Sequence, residues 1–506
     1  MKKPMVLKAF KKLESFCHIP YWLFFVLIGV IILRLPNFFE PYSYGDETIY
    51  LTLGNGIRHG LTLYKDLHDN KPPLLYITAA VAGNLFWFKA MLLIANLIGI
   101  TLFYKFSKLL FPKINRFSIV STVIFSTLTT LPFFEGNIVN AENFMIIPTI
   151  IAFYIILFRP ATYKNIFFAG VLFSISSLYK IPALFDLPAT IVYWVLSNKL
   201  DKKNLKAIAI NTLILFSGIA APIFLTLIYY AARGAFSQYL VAAYLQNFGY
   251  LSSWRPDVQK ESFFVKNAPL MLRGGLVILI NAILYLLRKK VDKKFLFLVS
   301  WLSFSLFGVT LSERPYPHYL LQALAPASLL FALMFTSKSM LQVYVFFPLS
   351  LLFLVPFVFR FWHYQSINYY TNFVNLVSGK ITKSQYLDYF GGRVKDNYEI
   401  AAIVDRLTKP SERVFVWQDS AQIYALANRF PPTKYVAGYH INDFSTTDKL
   451  LSQLSKNPPK VFVVFRENDL PIKISYFVKY KYLLYKETPE YQIWRFGGDY
   501  SRYIVH

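Results

Sequence analysis

The chain has 506 residues, 55% hydrophobic and 18% aromatic, with a formal net charge of +26. A soluble globule does not need that composition, and many separate apolar stretches approach the ~20 residues that cross a bilayer as a helix, so the sequence predicts a multi-pass membrane protein. Cys17 is the only cysteine, which excludes an intrachain disulfide and a cysteine metal cluster.

The N-terminus is basic and then apolar, as a signal peptide is. However, Arg34, Leu35 and Pro36 stand where small cleavage-site residues would be required. The run is therefore expected to be an uncleaved first span, with Cys17 an inert thiol at its edge. Spans are predicted at 16–35, 89–107, 117–134, 143–160, 164–179, 181–198, 206–231, 267–287, 295–311, 318–337 and 340–360, about eleven in all. The apolar stretch Leu74–Phe88 is short for a crossing and reads as a re-entrant or interfacial segment.

Short basic clusters set the expected orientation. They comprise Lys8, Lys11 and Lys12; Lys105, Lys108, Lys113 and Arg116; Lys199, Lys202, Lys203 and Lys206; and Arg288, Lys289, Lys290, Lys293 and Lys294. Lysine-rich short loops resist translocation, so these clusters mark the cytoplasmic side, and the charge gives no reason to expect bound nucleic acid. The N-terminus is then cytoplasmic, and the opposite face receives 36–88, 135–142, the Lys180 corner, 232–266 and 312–317. These outer loops hold Asp46, Glu47, Asp66, Asp69, Lys71, Glu135, Glu142, Lys180, Arg255, Arg314 and His318, among Tyr, Trp, Asn and Pro. The inner loops read as topology signals and the outer ones as a site.

The membrane domain is expected to span 1–360, with 36–88 as its first outer loop and 361–394 as an interfacial linker. Residues 395–506 predict a small extracytoplasmic α/β domain with some parallel pairing. Its strands are "RVFVWQD" and "KVFVVF", and its helices "SAQIYALANR" and "DKLLSQLSK".

An acidic pair and separated cations at a membrane surface suit one chemistry in particular. A carboxylate draws the proton from an attacking hydroxyl, while cations hold a phosphate and stabilise the charge it gains on leaving. The implied substrate is a sugar joined through phosphate to a polyprenyl chain, transferred by single displacement with inversion. Inverting hydrolases need two carboxylates, but a phosphate leaving group needs no protonating acid. Composition alone leaves ion transport open beside this reading.

The chain resembles the GT-C membrane glycosyltransferases, in the branch of the protein O-mannosyltransferases and the lipid A aminoarabinose transferase. The resemblance runs in order through "GDETIY" at Gly45–Tyr50, the G-x-x-x-Y-x-D pattern at Gly60, Tyr64 and Asp66, and "NKPPLLY" at Asn70–Tyr76. It continues through "EGNIVNAENFMIIP" at Glu135–Pro148, "YKIP" at Tyr179–Pro182 and "ERPYPHYLLQ" ending at Gln322. It implies a GT-C-like membrane domain and a polyprenyl-phosphate-linked sugar donor, with hexosyl or pentosyl transfer to a hydroxyl acceptor on glycan, lipid or protein. It also implies a catalytic acid at Asp46 with Glu47 beside it, and a second at Glu142, or alternatively Glu135. Lys71 resembles the family's lipid-phosphate ligand, with Lys180, Arg314, His318 and Tyr319 as further phosphate-binding candidates. Where the aminoarabinose branch carries an arginine three residues after the first-loop aspartate, this chain has Ile49.

Structural alternatives stand beside these roles. Asp46 and Glu47 could solvate a loop, Lys71 could snorkel, Lys180 could pair with Asp186, and Glu142 could favour a helix dipole. His318 could make a structural hydrogen bond. Tyr42, Tyr44, Tyr244, Tyr250 and Trp254 fit an interfacial aromatic belt, and intramembrane Asn and Ser fit interhelical hydrogen bonding. No His/Asp cluster has metal spacing, so no cofactor or metal is expected to be required; the alternative is an ion shared by Asp46 and Glu142 with donor phosphate. The rival function is a polyprenyl-linked sugar flippase or secondary transporter.

Overall fold

The computed structural model describes residues 19–247, 263–312, 314–466 and 469–497. Cys17, Tyr250, Trp254, Arg255 and Glu313 lie outside the described residues. The chain divides into two compact units: one of Met1–Phe38, Lys89–Thr226 and Phe248–Ile367, the other of Phe39–Phe88, Leu227–Asn247 and Asn368–His506.

Among the described residues, seven helices are long and apolar enough to cross a membrane: Tyr21–Phe39, Leu85–Leu110, Ala141–Phe158, Lys202–Ala232, Asn267–Leu287, Pro317–Thr336 and Leu341–Val358. The shorter Phe117–Thr130, Tyr163–Tyr179, Ile181–Ser197 and Lys293–Val309 complete eleven helical segments at the predicted places. The protein is thus a helical multi-pass membrane protein with a small C-terminal sheet. Lys202–Ala232, Asn267–Leu287 and Leu341–Val358 keep apolar side chains such as Leu213, Phe224, Leu272, Ile278 and Phe357 exposed, as lipid-facing helices do.

The stretch Leu74–Phe88 is not one segment. Gly83 takes a left-handed conformation (φ 73°) and ends the helix Leu74–Ala82, after which the next span begins at Leu85. Nine residues of helix rise only about 14 Å, too little for a ~30 Å hydrocarbon core.

In the first unit aromatic packing forms the centre. Phe103 stacks on Phe125 with centroids 4.1 Å apart, and the fully buried Trp301 contacts Phe153 at 4.5 Å. The helices Tyr163–Tyr179 and Lys202–Ala232 approach backbone to backbone: a Cβ on Gly170 would meet the Leu215 carbonyl oxygen at 2.2 Å, and one on Gly218 the Phe167 carbonyl at 2.2 Å. Such close contact depends on small residues. Buried polar groups bridge helices: Ser300 Oγ donates to Asn281 Oδ1 (2.6 Å), Thr149 and Ser176 share a hydrogen bond (2.9 Å), and Arg34 Nη2 donates to the Thr129 carbonyl (3.0 Å).

In the second unit the helix Gly45–Arg58 packs on Leu74–Ala82 so closely that a Cβ on Gly54 would meet Ala80 N at 2.5 Å. The loop also fastens to residues 368–497. Gln422 Nε2 donates to the Ser43 carbonyl (3.1 Å), Tyr369 donates to Glu40, and His68 N donates to the Lys434 carbonyl (2.8 Å). The sheet there comprises β1 (Val414–Trp417), β2 (Val461–Phe465), β3 (Tyr482–Glu487) and β4 (Tyr491–Phe496), in the order β1-β2-β4-β3. β1 and β2 are parallel, with Val414 opposite Val461; the other pairs are antiparallel. The parallel pair is joined through Ala421–Ala427, Gly438–Phe444 and the amphipathic Thr447–Lys456, whose Leu450 and Leu454 reach the core. β2 is buried throughout, as a central strand covered on both faces must be. Residues 366–388 form two helices, Ser366–Val377 and Lys383–Asp388.

Candidate functional site

The second unit holds the first cluster. GDETIY opens the helix Gly45–Arg58, placing Asp46 and Glu47 in its first turn, where the helix dipole favours anions. Lys71 Nζ lies 3.7 Å from Asp46 Oδ2, with both side chains partly exposed. Tyr50, one turn after Asp46, donates its hydroxyl to the same carboxylate oxygen (2.7 Å), and its ring lies 4.9 Å beneath the Lys71 ammonium. Burial, then the Asp46 charge, pushes the Tyr50 phenol well above its usual pKa, so it remains a donor. Glu47, about 100° further round the helix, is buried at 2% exposure.

Tyr64 sets the backbone of Lys71. Its own backbone is left-handed (φ 72°), its N–H donates to the Leu67 carbonyl (2.6 Å), and its hydroxyl donates to the Lys71 carbonyl (2.8 Å). Its ring packs on Tyr230 and Tyr239, both at 5.1 Å. Behind Lys71, the buried Asp69 faces His440 Nε2 at 3.4 Å. Burial opposes the Asp69 charge, yet Lys71, then His440 and Tyr76, hold its carboxyl well below the usual range. His68, whose ring lies 5.5 Å from that of His440, is pushed down to about 3 by burial and then by His440 and Lys434, against the opposing Asp69.

The first unit holds a second cluster. Glu142, in the first turn of Ala141–Phe158, forms an ion pair with Lys180, which caps Tyr163–Tyr179. The Lys180 ammonium also lies 3.6 Å over the Tyr319 ring. Lys180 thus pairs with Glu142 rather than with Asp186, whose Oδ1 accepts from Ser305 (2.6 Å) and Gln322 (3.2 Å). Glu135, left-handed at φ 57° after Pro132–Phe134, pairs with His318 Nδ1 and accepts from Asn140 (3.4 Å). His318 and Tyr319 come from the 3-10 turn Pro317–Ala323, with Arg314 half-buried on the extended segment before it. Among the described residues, no group of three or more His, Cys, Asp or Glu has metal-holding geometry.

The two lysines differ in what freeing them costs. A partly exposed pair such as Asp46–Lys71 contributes about 0.2–1 kcal/mol. Stripping one partner from a buried pair such as Glu142–Lys180 costs about 3–5 kcal/mol. Of these two pairs, the one Lys71 makes with Asp46 is the cheaper to break. Sequence reasoning missed Tyr50, although its spacing from Asp46 is that of helix neighbours, and it missed the Asp69–His440 contact, which no local pattern signals.

Residues 394–497 match the family model described as "Putative competence-induced protein Ccs4 C-terminal domain". Comparison with curated proteins gave no match. Among solved structures the chain is similar to ArnT from Cupriavidus metallidurans bound to undecaprenyl phosphate, with TM-score 0.55 and 10% identity over 94% of this chain and 97% of that one. The apo state of the same protein gives TM-score 0.54 at 10% identity, with the same coverage, 94% and 97%. AglB from Archaeoglobus fulgidus, in complex with an inhibitory peptide and a dolichol-phosphate, gives 0.46 at 15% identity over 96% of this chain and 75% of that one. From its membrane helices through its C-terminal domain, the chain has the fold of ArnT.

Proposed function

We propose that the protein is an inverting glycosyltransferase that moves a sugar, hexosyl or pentosyl, from a polyprenyl-phosphate donor to a hydroxyl acceptor. The observation that carries this reading is the pairing of Asp46 with Lys71 beside Tyr50, a base and a phosphate-seeking cation in one partly exposed cluster. The fold shared with ArnT, whose crystal structure holds undecaprenyl phosphate, supports the choice of donor. Asp46 takes the acceptor proton as its oxygen attacks the anomeric carbon, and Lys71 stabilises the departing phosphate. In an in-line displacement the entering and leaving oxygens flank that carbon, so the two side chains cannot remain 3.7 Å apart while both serve. The donor phosphate draws the flexible ammonium away and uncovers the carboxylate.

Glu47 and Glu142 are the further acidic candidates, with Glu135 the alternative to Glu142. Lys180, Arg314, His318 and Tyr319 are the further phosphate-binding candidates, each tested by its own substitution. The chemistry needs no divalent ion, so turnover in EDTA should equal turnover without it. In this reading the N-terminus is cytoplasmic and residues 395–506 lie outside a prokaryotic cytoplasmic membrane, an orientation the basic clusters support, with 361–394 as the interfacial link and the lipid-linked donor held in the outer leaflet. Reconstituted vesicles test the whole. Labelled donor should lose its sugar to an added acceptor; label that crosses the bilayer untransferred identifies a flippase and overturns the assignment.

A further inference from the structure

The second unit carries a cleft of about 290 Å³ outside the Asp46–Lys71 cluster. Its polar lining includes Lys65 and Asp66 from the first loop, Arg413 from the approach to β1, Lys434, and Gln453 and Asn457 at the end of Thr447–Lys456. Leu61 and the pair Pro431–Pro432 supply a small apolar wall.

The charges in this cleft are unbalanced. Asp66 is occupied with its own turn, accepting from Thr62 N at 2.7 Å. Among the described residues none of the three cations has a carboxylate within ion-pair distance. Lys434 lies 5.2 Å over the Tyr435 ring, and Arg413 5.8 Å over the Phe430 ring. Burial depresses the Lys434 pKa, the sign of a cation that has lost water and gained no counter-charge. An anion entering the cleft would supply that charge, and the Arg413 fork is suited to the paired oxygens of a phosphate. The amides of Gln453 and Asn457 both donate and accept, which suits hydroxyl groups, and the prolyl wall suits the C–H face of a sugar ring. The space exceeds what a single bound ion requires.

We infer that this cleft binds a phosphate-bearing saccharide. The binding stands on the cleft alone; only the description of its ligand as the acceptor rests on the transferase reading. The same chemistry could reach the cleft as a free sugar phosphate or as part of a polymer.

Isothermal titration of the full chain in nanodiscs tests this with four probes. They are a hexose phosphate, a phosphate-linked oligosaccharide, a neutral oligosaccharide of equal length, and an acidic peptide. The inference expects the phosphorylated saccharides to bind and the neutral one not to. Tighter binding of the oligomer identifies a polymer, and equal binding a free sugar phosphate. The double variant K65S/R413S should weaken binding at least about tenfold, and added salt should do the same to the wild type. A thermal unfolding midpoint close to wild type shows that the variant is folded, and K65S alone, at an exposed position, should give a smaller loss in the same direction. Equal binding of the neutral oligosaccharide, tighter binding of the acidic peptide, or unchanged affinity in the folded double variant would overturn it. Binding without any sugar transfer removes the acceptor role and leaves the site; transfer without such binding removes the site and leaves the transferase.

Discussion

The Lys71 ammonium lies 3.7 Å from the Asp46 carboxylate and 4.9 Å from the Tyr50 ring centroid, so one lysine touches both members of the Asp46–Tyr50 hydrogen bond. Replacing Lys71 with methionine keeps the stem and removes the charge. The loss should therefore appear in both donor affinity and kcat, about 10–100-fold in kcat/KM, because the cation is invoked for the ground-state phosphate and for the leaving group. Steady-state kinetics with donor varied checks this. An unchanged donor KM would remove Lys71 from the phosphate.

Tyr50→Phe deletes the hydroxyl that holds Asp46 Oδ2 and leaves the ring beneath Lys71. A hydrogen bond to a charged group contributes about 1.5–3 kcal/mol, so kcat should fall roughly tenfold or more while the donor KM stays near the wild-type value. A variant with wild-type kcat shows that the hydroxyl does not orient the carboxylate.

Glu142 and Lys180 form a buried pair, and each single substitution strands a charge. Glu142→Gln or Lys180→Met should each destabilise by about 3–5 kcal/mol, and the double variant by clearly less than their sum. Thermal unfolding in detergent measures it. Additive losses would show that the two do not act as a pair.

His68 gives stability a predictable pH dependence. Its folded pKa is pushed down to about 3, so between that value and the ordinary ~6.5 the unfolded chain binds a proton that the folded chain does not. Stability is complete above about pH 6.5 and falls on acidification, by up to about 1.4 kcal/mol per pH unit for this one proton. The Asp69 carboxyl, also depressed, adds a loss in the same direction below about pH 3.9. Unfolding midpoints between about pH 7.5 and 5 should fall less steeply in His68→Gln than in wild type. Equal slopes in the two proteins would contradict the assignment.

Much of the membrane part was legible because a helix in lipid satisfies its own backbone, and an apolar run of sufficient length betrays it. One boundary that moved did so at a residue acting locally: Gly83 ended the supposed Leu74–Phe88 segment. The sequence also pointed to Asp46 and Lys71, each by its place after a span or before prolines. It did not show that Lys180 would choose Glu142 over the nearer-in-sequence Asp186, because that depends on which helices meet. Nor did it show the contact of Asp69 with His440, which joins the first loop to the helix Gly438–Phe444 far along the chain. The β3–β4 hairpin was missed because exposed Leu483, Leu484 and Tyr485 blur its alternation.

The most direct test of the account is a single-turnover transfer assay on Asp46→Asn with donor lipid already bound. The variant should hold the donor with near wild-type affinity and transfer its sugar about 10²–10⁴-fold more slowly. Transfer at close to the wild-type rate would contradict the central claim that this carboxylate is the base.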